Sequence, residues 1–200
     1  MLFAETKRLR QKERRLTMRV IAGTRRSLRL VSPEGKDTRP TQDRIKETLF
    51  NILQNDVQGS VFIDLFAGSG GIGIEALSRG AARAYFVENQ KTACDCIGQN
   101  LATTRFTQEG VLFKQDVLFA LTGSIRERAD IIFMDPPYDQ GLENRVLALL
   151  AENDRIADRD TLIVLETSLH AETDYLPALG YDIIKQKRYK TNQHIFLKKK

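Results

Sequence analysis

A chain of 200 residues with 42% hydrophobic content and a net charge of +5 is long enough for one domain with a substantial core. No apolar run approaches the ~18 residues of a membrane span, and Met1-Leu2-Phe3-Ala4-Glu5-Thr6-Lys7 turns charged too early for a signal-peptide core, so the expected location is cytoplasmic. Two cysteines, Cys94 and Cys96, and two histidines, His170 and His194, are too few and too scattered for a metal site, and none is expected.

The charge is uneven along the chain. Residues 1–46 hold fourteen Lys and Arg against five Asp and Glu, whereas the remainder holds seventeen against twenty-one. That asymmetry points to a polyanionic partner at the amino-terminal end, although residues 1–17 alone read equally well as a solvated basic extension. Met18-Arg19-Val20-Ile21-Ala22-Gly23 and Leu28-Arg29-Leu30-Val31 predict two short strands joined by a basic turn. Arg25, Arg26 and Arg29 lie within five residues of one another, with few local acids to pair with. Thr41, at the end of Thr38-Arg39-Pro40-Thr41, suits a helix cap, and Ile45, Leu49, Ile52 and Leu53 repeat behind it at helical spacing. Arg39 and Arg44 flank that helix start. They suit phosphate contacts and a salt bridge to a sheet-end carboxylate equally well.

Beyond Gly59-Ser60 the pattern alternates. Strands are expected at Val61–Phe66, Ala84–Glu88, Val111–Lys114, Asp130–Met134 and Thr161–Leu165, with helices at 71–79, 90–103, 117–127, 142–152 and 173–179. Strands apolar on both faces and separated by helices imply a parallel sheet covered on both sides. Tyr181-Asp182-Ile183-Ile184-Lys185 and His194-Ile195-Phe196-Leu197 predict a closing antiparallel hairpin. The expected fold is therefore α/β and Rossmann-like, a mostly parallel seven-stranded sheet with a small amino-terminal β-hairpin. Its expected division is an extension at 1–17, a hairpin and helix at 18–56 and a larger domain at 57–200.

Three stretches carry chemistry. In Asp64-Leu65-Phe66-Ala67-Gly68-Ser69-Gly70-Gly71-Ile72-Gly73 a strand runs into a glycine-rich turn, and Gly68, Gly70 and Gly73 fit G-x-G-x-x-G, which allows a tight turn and close approach of backbone to a ligand. Glu88 ends the next strand, where a carboxylate can accept the hydroxyls of a ribose; a nicotinamide dinucleotide would satisfy this too. Asp64 suits a ligand amine better than a pyrophosphate, and Asp116, after the third strand, can meet an adenine amine. Asp135-Pro136-Pro137-Tyr138 follows the buried run Ile131-Ile132-Phe133-Met134. Two prolines fix the backbone and leave carbonyls outward, so a carbonyl and a carboxylate can accept from one NH2 group while Tyr138 offers a stacking face. A plain turn is the bland alternative.

Asp64–Gly73 resembles the first motif of class I S-adenosylmethionine-dependent methyltransferases, Glu88 the second, and Asp135–Tyr138 the fourth motif of the amino-methylating branch. Together with Arg19-Val20-Ile21-Ala22-Gly23, Thr38-Arg39-Pro40-Thr41-Gln42-Asp43-Arg44 and Ile74-Glu75-Ala76-Leu77-Ser78-Arg79-Gly80-Ala81, these stretches resemble the bacterial RsmD-type small-subunit ribosomal RNA guanine-N2 methyltransferases over residues 18–197. The resemblance implies S-adenosyl-L-methionine as cofactor, held by Asp64, Phe66, Ala67, Gly68, Ser69, Gly70, Gly73, Glu88 and Asp116. It implies catalysis by Asp135, Pro136, Pro137 and Tyr138 on a base swung out of its stack. The implied substrate is guanine 966 of 16S rRNA, in an assembled or partly assembled 30S particle, with Arg25, Arg26, Arg29, Arg39 and Arg44 on the RNA; a monomer is the default. Tyr189-Lys190 stands where the family often has Tyr-Gly, a departure that bears on the last turn. The alternatives are an N6-adenine methyltransferase and an RNA-binding assembly factor without turnover. An NAD-dependent oxidoreductase is disfavoured, because no residue set resembles a hydride-transfer acid or base.

Overall fold

The computed structural model describes residues 18–33, 40–137 and 141–200. Residues 1–17, Arg39 and Tyr138 lie outside the described residues. Nine strands occur among those described. β1 (Met18–Arg19) and β2 (Arg29–Leu30) form the small antiparallel pair; α1 (Pro40–Ile52) follows, and then β3 (Val61–Asp64), α2 (Gly71–Ser78), β4 (Arg83–Glu88), α3 (Lys91–Thr104) and β5 (Gly110–Lys114). The second half holds α4 (Val117–Phe119), β6 (Ile131–Met134), α5 (Leu142–Ala151), β7 (Leu162–Ser168), β8 (Tyr181–Arg188) and β9 (Asn192–Lys199). The seven-stranded sheet runs β5-β4-β3-β6-β7-β9-β8. All its pairs are parallel except β7 with β9 and β8 with β9, the expected fold class.

Alternation of side chains along the strands divides the core in two. Phe62, Phe86, Phe133, Val164 and Phe196 point to one face, packed by Leu49 and Phe50 of α1, Leu53 just after it, Ile74 and Leu77 of α2 and Ile97 and Leu101 of α3. Ile63, Val87, Ile132, Ile163 and Leu197 point to the other, against Val117 of α4 and Val146, Leu147 and Leu150 of α5. Val20 and Leu30 of the amino-terminal hairpin belong to the first cluster, so this segment shares its core with α1 and α2.

Several expected elements are shaped differently. The helix predicted from Thr41 begins at Pro40, so Thr41 lies in its first turn; proline is suited to that position because its φ is already helical and the first turn needs no N–H from it. The helix expected at 117–127 stops at Ser124, because α4 widens into a π-helical turn, Ala120–Ser124, closed by the Ile125 N–H on the Ala120 carbonyl at 3.0 Å. No helix forms at 173–179. Pro177 has no N–H to give, and the segment closes instead as turns, with Leu176 N on Thr173 O at 3.1 Å and Tyr181 N on Leu176 O at 3.0 Å. β7, β8 and β9 extend beyond the expected spans, β9 backwards to Asn192 and β7 forwards to Ser168. Lys190 is not among the residues with positive φ, so the β8–β9 turn does not require glycine there.

The hairpin strands are shorter than expected because the chain between them bonds to α2. The buried Glu75 carboxylate accepts the Ile21 and Ala22 N–H groups at 2.8 and 3.0 Å. It is flanked by Lys46 at 3.4 Å and Arg79 at 2.8 Å. Burial pulls the Lys46 ammonium below its usual pKa, and the Glu75 charge beside it partly restores it. Lys46 also donates to the Arg19 carbonyl at 2.6 Å. At the end of α2, Thr24 N donates to Ser78 O at 2.7 Å and Arg25 N to Ser78 Oγ at 3.0 Å. A Cβ on Gly23, which has φ +81, would fall 1.8 Å from the Ser78 carbonyl oxygen, so only glycine lets the chain pass.

Removing one partner of a buried ion pair leaves a desolvated charge. Glu75→Ala is therefore expected to destabilise the protein by about 3–5 kcal/mol in urea unfolding followed by circular dichroism. A loss under about 1 kcal/mol, the range of a surface pair, would contradict the clamp.

Candidate functional site

In a parallel sheet, ligands bind outside the carboxyl ends of the strands where the strand order reverses. Here the order reverses at β3 and β6. A cleft of about 1310 Å³ opens at those ends, bordered by the glycine loop, by Glu88, by Asp116 and by Asp135-Pro136-Pro137. The sheet thus brings together the two loops that the sequence singled out separately.

The glycine loop is built by backbone geometry. Gly68 has φ +55 and Gly70 has φ +78, and a Cβ on Gly68 would meet nothing within 4 Å, so this turn stays open toward the cleft. The later glycines serve packing: a Cβ on Gly71 would lie 2.1 Å from Met18 Sδ, and one on Gly73 2.4 Å from the Phe86 ring. The Gly68 N–H donates to Glu88 Oε2 at 2.9 Å, and the Asn89 and Gln90 N–H groups donate to Oε1, both at 2.8 Å. Glu88 thereby ties β4 to the glycine loop and to the start of α3. A ribose diol seated there would share the carboxylate with these N–H groups. Asp116 caps α4, its Oδ1 accepting from Leu118 N at 2.9 Å and Phe119 N at 3.4 Å.

Asp64 is strongly perturbed. It is buried at the end of β3, accepts the Gly73 N–H on Oδ2 at 3.3 Å and leaves Oδ1 buried with no hydrogen-bond partner among the described residues. Burial pushes its pKa up to about 7, opposed by the Gly73 N–H and reinforced by the nearby Asp135 and Glu88 charges. Perturbation of this kind, in a cleft, marks a candidate functional group.

Asp135 and Pro137 are exposed and Pro136 is buried, so the loop projects its carboxylate while one ring is anchored. On the next strand Glu166 follows Leu165, whose register partner on β6 is Met134, the residue before Asp135. Glu166, within β7, and Asp135, just past β6, thus stand side by side on neighbouring strands. Glu166 is held on both sides: His194 Nε2 lies 2.9 Å from Oε2, and Asn192 Nδ2 donates to Oε1. His194 is fully buried, with Tyr189 Oη 3.1 Å from its Nδ1 and the Phe133 ring packed edge-on at 6.0 Å. Glu166, Asn192, His194, Lys46 and Met18 all border the cleft, and the sequence reading named none of them for it. For Glu166 a signal existed, a carboxylate at the carboxyl end of a parallel strand, but the predicted strand stopped one residue short.

The arginines separate into two kinds. Arg26 and Arg29 are exposed, whereas Arg25 donates from Nε to Thr104 O at 2.6 Å and lies over the Phe106 ring at 5.1 Å. Part of its guanidinium is therefore already committed within the fold. Arg44 is exposed and borders a smaller cavity of about 380 Å³ with Lys187, Arg188, Tyr189 and Lys190. Lys190 borders both cavities, so the basic β8–β9 turn continues into the main cleft.

The family described as Conserved hypothetical protein 95 matches residues 18–198. Ribosomal RNA small subunit methyltransferase D of Haemophilus influenzae is 37% identical over 152 residues, covering 75% of this chain and 78% of that protein. The solved structure of yhhF from Escherichia coli superposes with a TM-score of 0.77 at 29% identity, covering 92% of this chain and 98% of the other. A T. thermophilus 16S rRNA N2 G1207 methyltransferase, solved with AdoMet and guanosine, shares the fold with a TM-score of 0.62 at 19% identity, covering 84% of this chain and 45% of that one.

A carboxyl group whose folded pKa is raised keeps its proton in the native state after the unfolded chain has released it, so the native state loses stability as pH rises between the two values. Asp64 should therefore make the protein less stable as pH rises from about 4 to about 7, by on the order of 4 kcal/mol in total. Urea unfolding across that range should show this slope reduced in Asp64→Asn. Curves for the two proteins that stay parallel would contradict it.

Proposed function

The chain belongs to the family described as Conserved hypothetical protein 95, the RsmD-type methyltransferases, and from that premise we propose that it methylates the exocyclic N2 amine of a guanine in 16S rRNA, guanine 966 by the usual numbering, in a 30S particle or assembly intermediate. It is a Rossmann-like methyltransferase that uses S-adenosyl-L-methionine. The observation that carries the amine-methylation reading is the meeting of the Asp64–Gly73 loop and Asp135-Pro136-Pro137 in one cleft at adjacent strands; the choice of a ribosomal guanine follows the family.

The residues present fit the cofactor. Asp64 Oδ1 is a buried acceptor without a partner among the described residues, the loop at Gly68 is open to close approach, and Asp64, Glu88 and Asp116 all border the cleft. Asp64, Gly68, Glu88 and Asp116 would hold it. When bound, it supplies a methyl group already activated on a sulfonium.

The work left to this chain is alignment. Guanine N2 is a poor nucleophile because its lone pair is delocalised into the ring. The Asp135 carboxylate and the Pro136 carbonyl accept from its two N–H groups and favour the pyramidal nitrogen whose lone pair is available. The proton that the methylated amine then gives up would pass to Asp135 or water. Tyr138 stacks on the extruded base. The RNA backbone lies on exposed guanidiniums, Arg26, Arg29 and Arg44, with Arg39 a further proposed contact and Arg25 in a supporting place.

Asp135→Ala is expected to keep S-adenosylmethionine affinity in calorimetry while tritium transfer to undermethylated 30S particles falls by about 10²–10⁴-fold, the range of a positioned acid–base group. Comparable transfer by the variant would remove the mechanism. Neutralising Arg26 and Arg29 together should weaken RNA binding and lower the slope of log affinity against log salt by about 1.5, from ~0.7–0.9 per phosphate contact. An unchanged slope would take the hairpin off the RNA.

A further inference from the structure

We infer that Glu166 and Asn192 form the site that reads the hydrogen-bond donor edge of the target base, so that selection of guanine over adenine resides at the β7–β9 pair while Asp135 holds the reacting amine. This rests on the proposed methylation of guanine N2.

Three observations place it. First, Glu166 and Asp135 each lie one residue beyond the Met134–Leu165 register pair on adjacent chain segments, and both border the cleft. Second, Glu166 is fixed as an acceptor. Burial and the Glu166 charge hold the Tyr189 phenol up at about 12, so it stays a neutral hydroxyl. Against a carboxylate oxygen, His194 Nε2, 2.9 Å from Glu166 Oε2, is the donor, and the Tyr189 hydroxyl lies 3.1 Å from Nδ1 on the other side of the ring. Asn192 Nδ2 donates to Oε1. Each carboxylate oxygen has two acceptor positions, so both oxygens retain one. Third, the contact of Nδ2 with the carboxylate fixes the orientation of the Asn192 amide. Its Oδ1 is then a buried acceptor without a partner among the described residues, on a side chain that borders the cleft and belongs to a residue 7% exposed.

A buried acceptor without a partner costs stability and is an unexplained feature unless a donor comes to it. Guanine offers what is missing. With both N2–H groups on Asp135 and the Pro136 carbonyl, its N1–H is the adjacent donor, and a carboxylate with a neighbouring amide oxygen accepts it. Adenine offers a ring-nitrogen lone pair beside its amine, which would face the Glu166 charge and leave Asn192 Oδ1 unpaired. Sites built around hydrogen bonds discriminate strongly because the wrong ligand leaves buried groups unsatisfied. His194, Tyr189 and the edge-on Phe133 ring are positioning residues that fix the carboxylate plane.

The test uses 2-aminopurine riboside, which keeps the 2-amino group but replaces N1–H with a lone pair, against guanosine. Both are titrated by NMR into the full-length protein saturated with S-adenosylhomocysteine. The wild type should prefer guanosine by about tenfold or more, the discrimination of a good paired contact. Glu166→Gln, which places an amide donor at this wall, should bring the preference to one or invert it, and should lower kcat/KM on undermethylated 30S particles by at least about tenfold with cofactor affinity unchanged. Asn192→Ala should reduce the guanosine preference several-fold and carries the same test if Glu166→Gln does not fold. Wild-type preference retained in a folded variant would overturn the inference, as would a wild type that binds both nucleosides equally. Absence of N2-methylguanosine from the wild-type reaction would overturn the proposed function, whereas the nucleoside titrations report on the donor-edge site by themselves.

Discussion

Parallel pairing of β3 with β4 on one side and β6 on the other is the constraint from which the site follows. Crossovers between parallel strands are right-handed, so the connections that run outward from β3 toward β5 cover one face of the sheet, and those running from β6 toward β7 cover the other. The division appears in the core, where α2 and α3 pack with Phe62 and Phe86 while α5 packs with Ile132 and Ile163. The loops leaving β3 and β6 therefore diverge. The crevice between them receives the glycine turn and the Asp-Pro-Pro turn side by side.

Charge is then partitioned between inside and outside. The cleft is bordered by Asp64, Glu88, Asp116, Asp135 and Glu166, a set of acceptors suited to amines, hydroxyls and a positively charged donor group. The rim carries Arg44, Lys187, Arg188 and Lys190, suited to a phosphate backbone. A buried carboxyl such as Asp64, with its pKa raised to about 7, tempers the mutual repulsion because it need not be ionised until a ligand donor arrives. The Glu75 clamp belongs to the same design. Glu75 holds Ile21 and Ala22 on α2 while Ser78 holds Thr24 and Arg25, so Met18 packs against Gly71 and the arginine turn is anchored at the helix end.

What was legible in the sequence depended on how local its cause is. Strands β3, β4, β6 and β7 were readable because burial on both faces demands uninterrupted apolar runs, and the two chemical loops because glycine and proline act on their own backbone. The ends of β8 and β9 were not. β8 is an edge strand whose outer residues are charged, so its apolar pattern is weak, and β9 begins with the polar residues Asn192, Gln193 and His194, which are buried only because they cross β7. The failure at 173–179 has a local cause, Pro177, that helical periodicity masked. Arg25 looked like its neighbours and differs only through Thr104 and Phe106, about eighty residues away. Glu166, Asn192 and His194 form a site only through antiparallel register, and no single stretch of sequence displays that pairing.

The central claim is that this cleft directs methyl transfer to the exocyclic N2 amine of a guanine in small-subunit RNA. Undermethylated 30S particles incubated with the protein and labelled S-adenosylmethionine, then digested to nucleosides and resolved by mass spectrometry, test it directly. The label should be in N2-methylguanosine, and nuclease mapping should place it at one position in 16S rRNA. Label in N6-methyladenosine, or none in RNA, would contradict it.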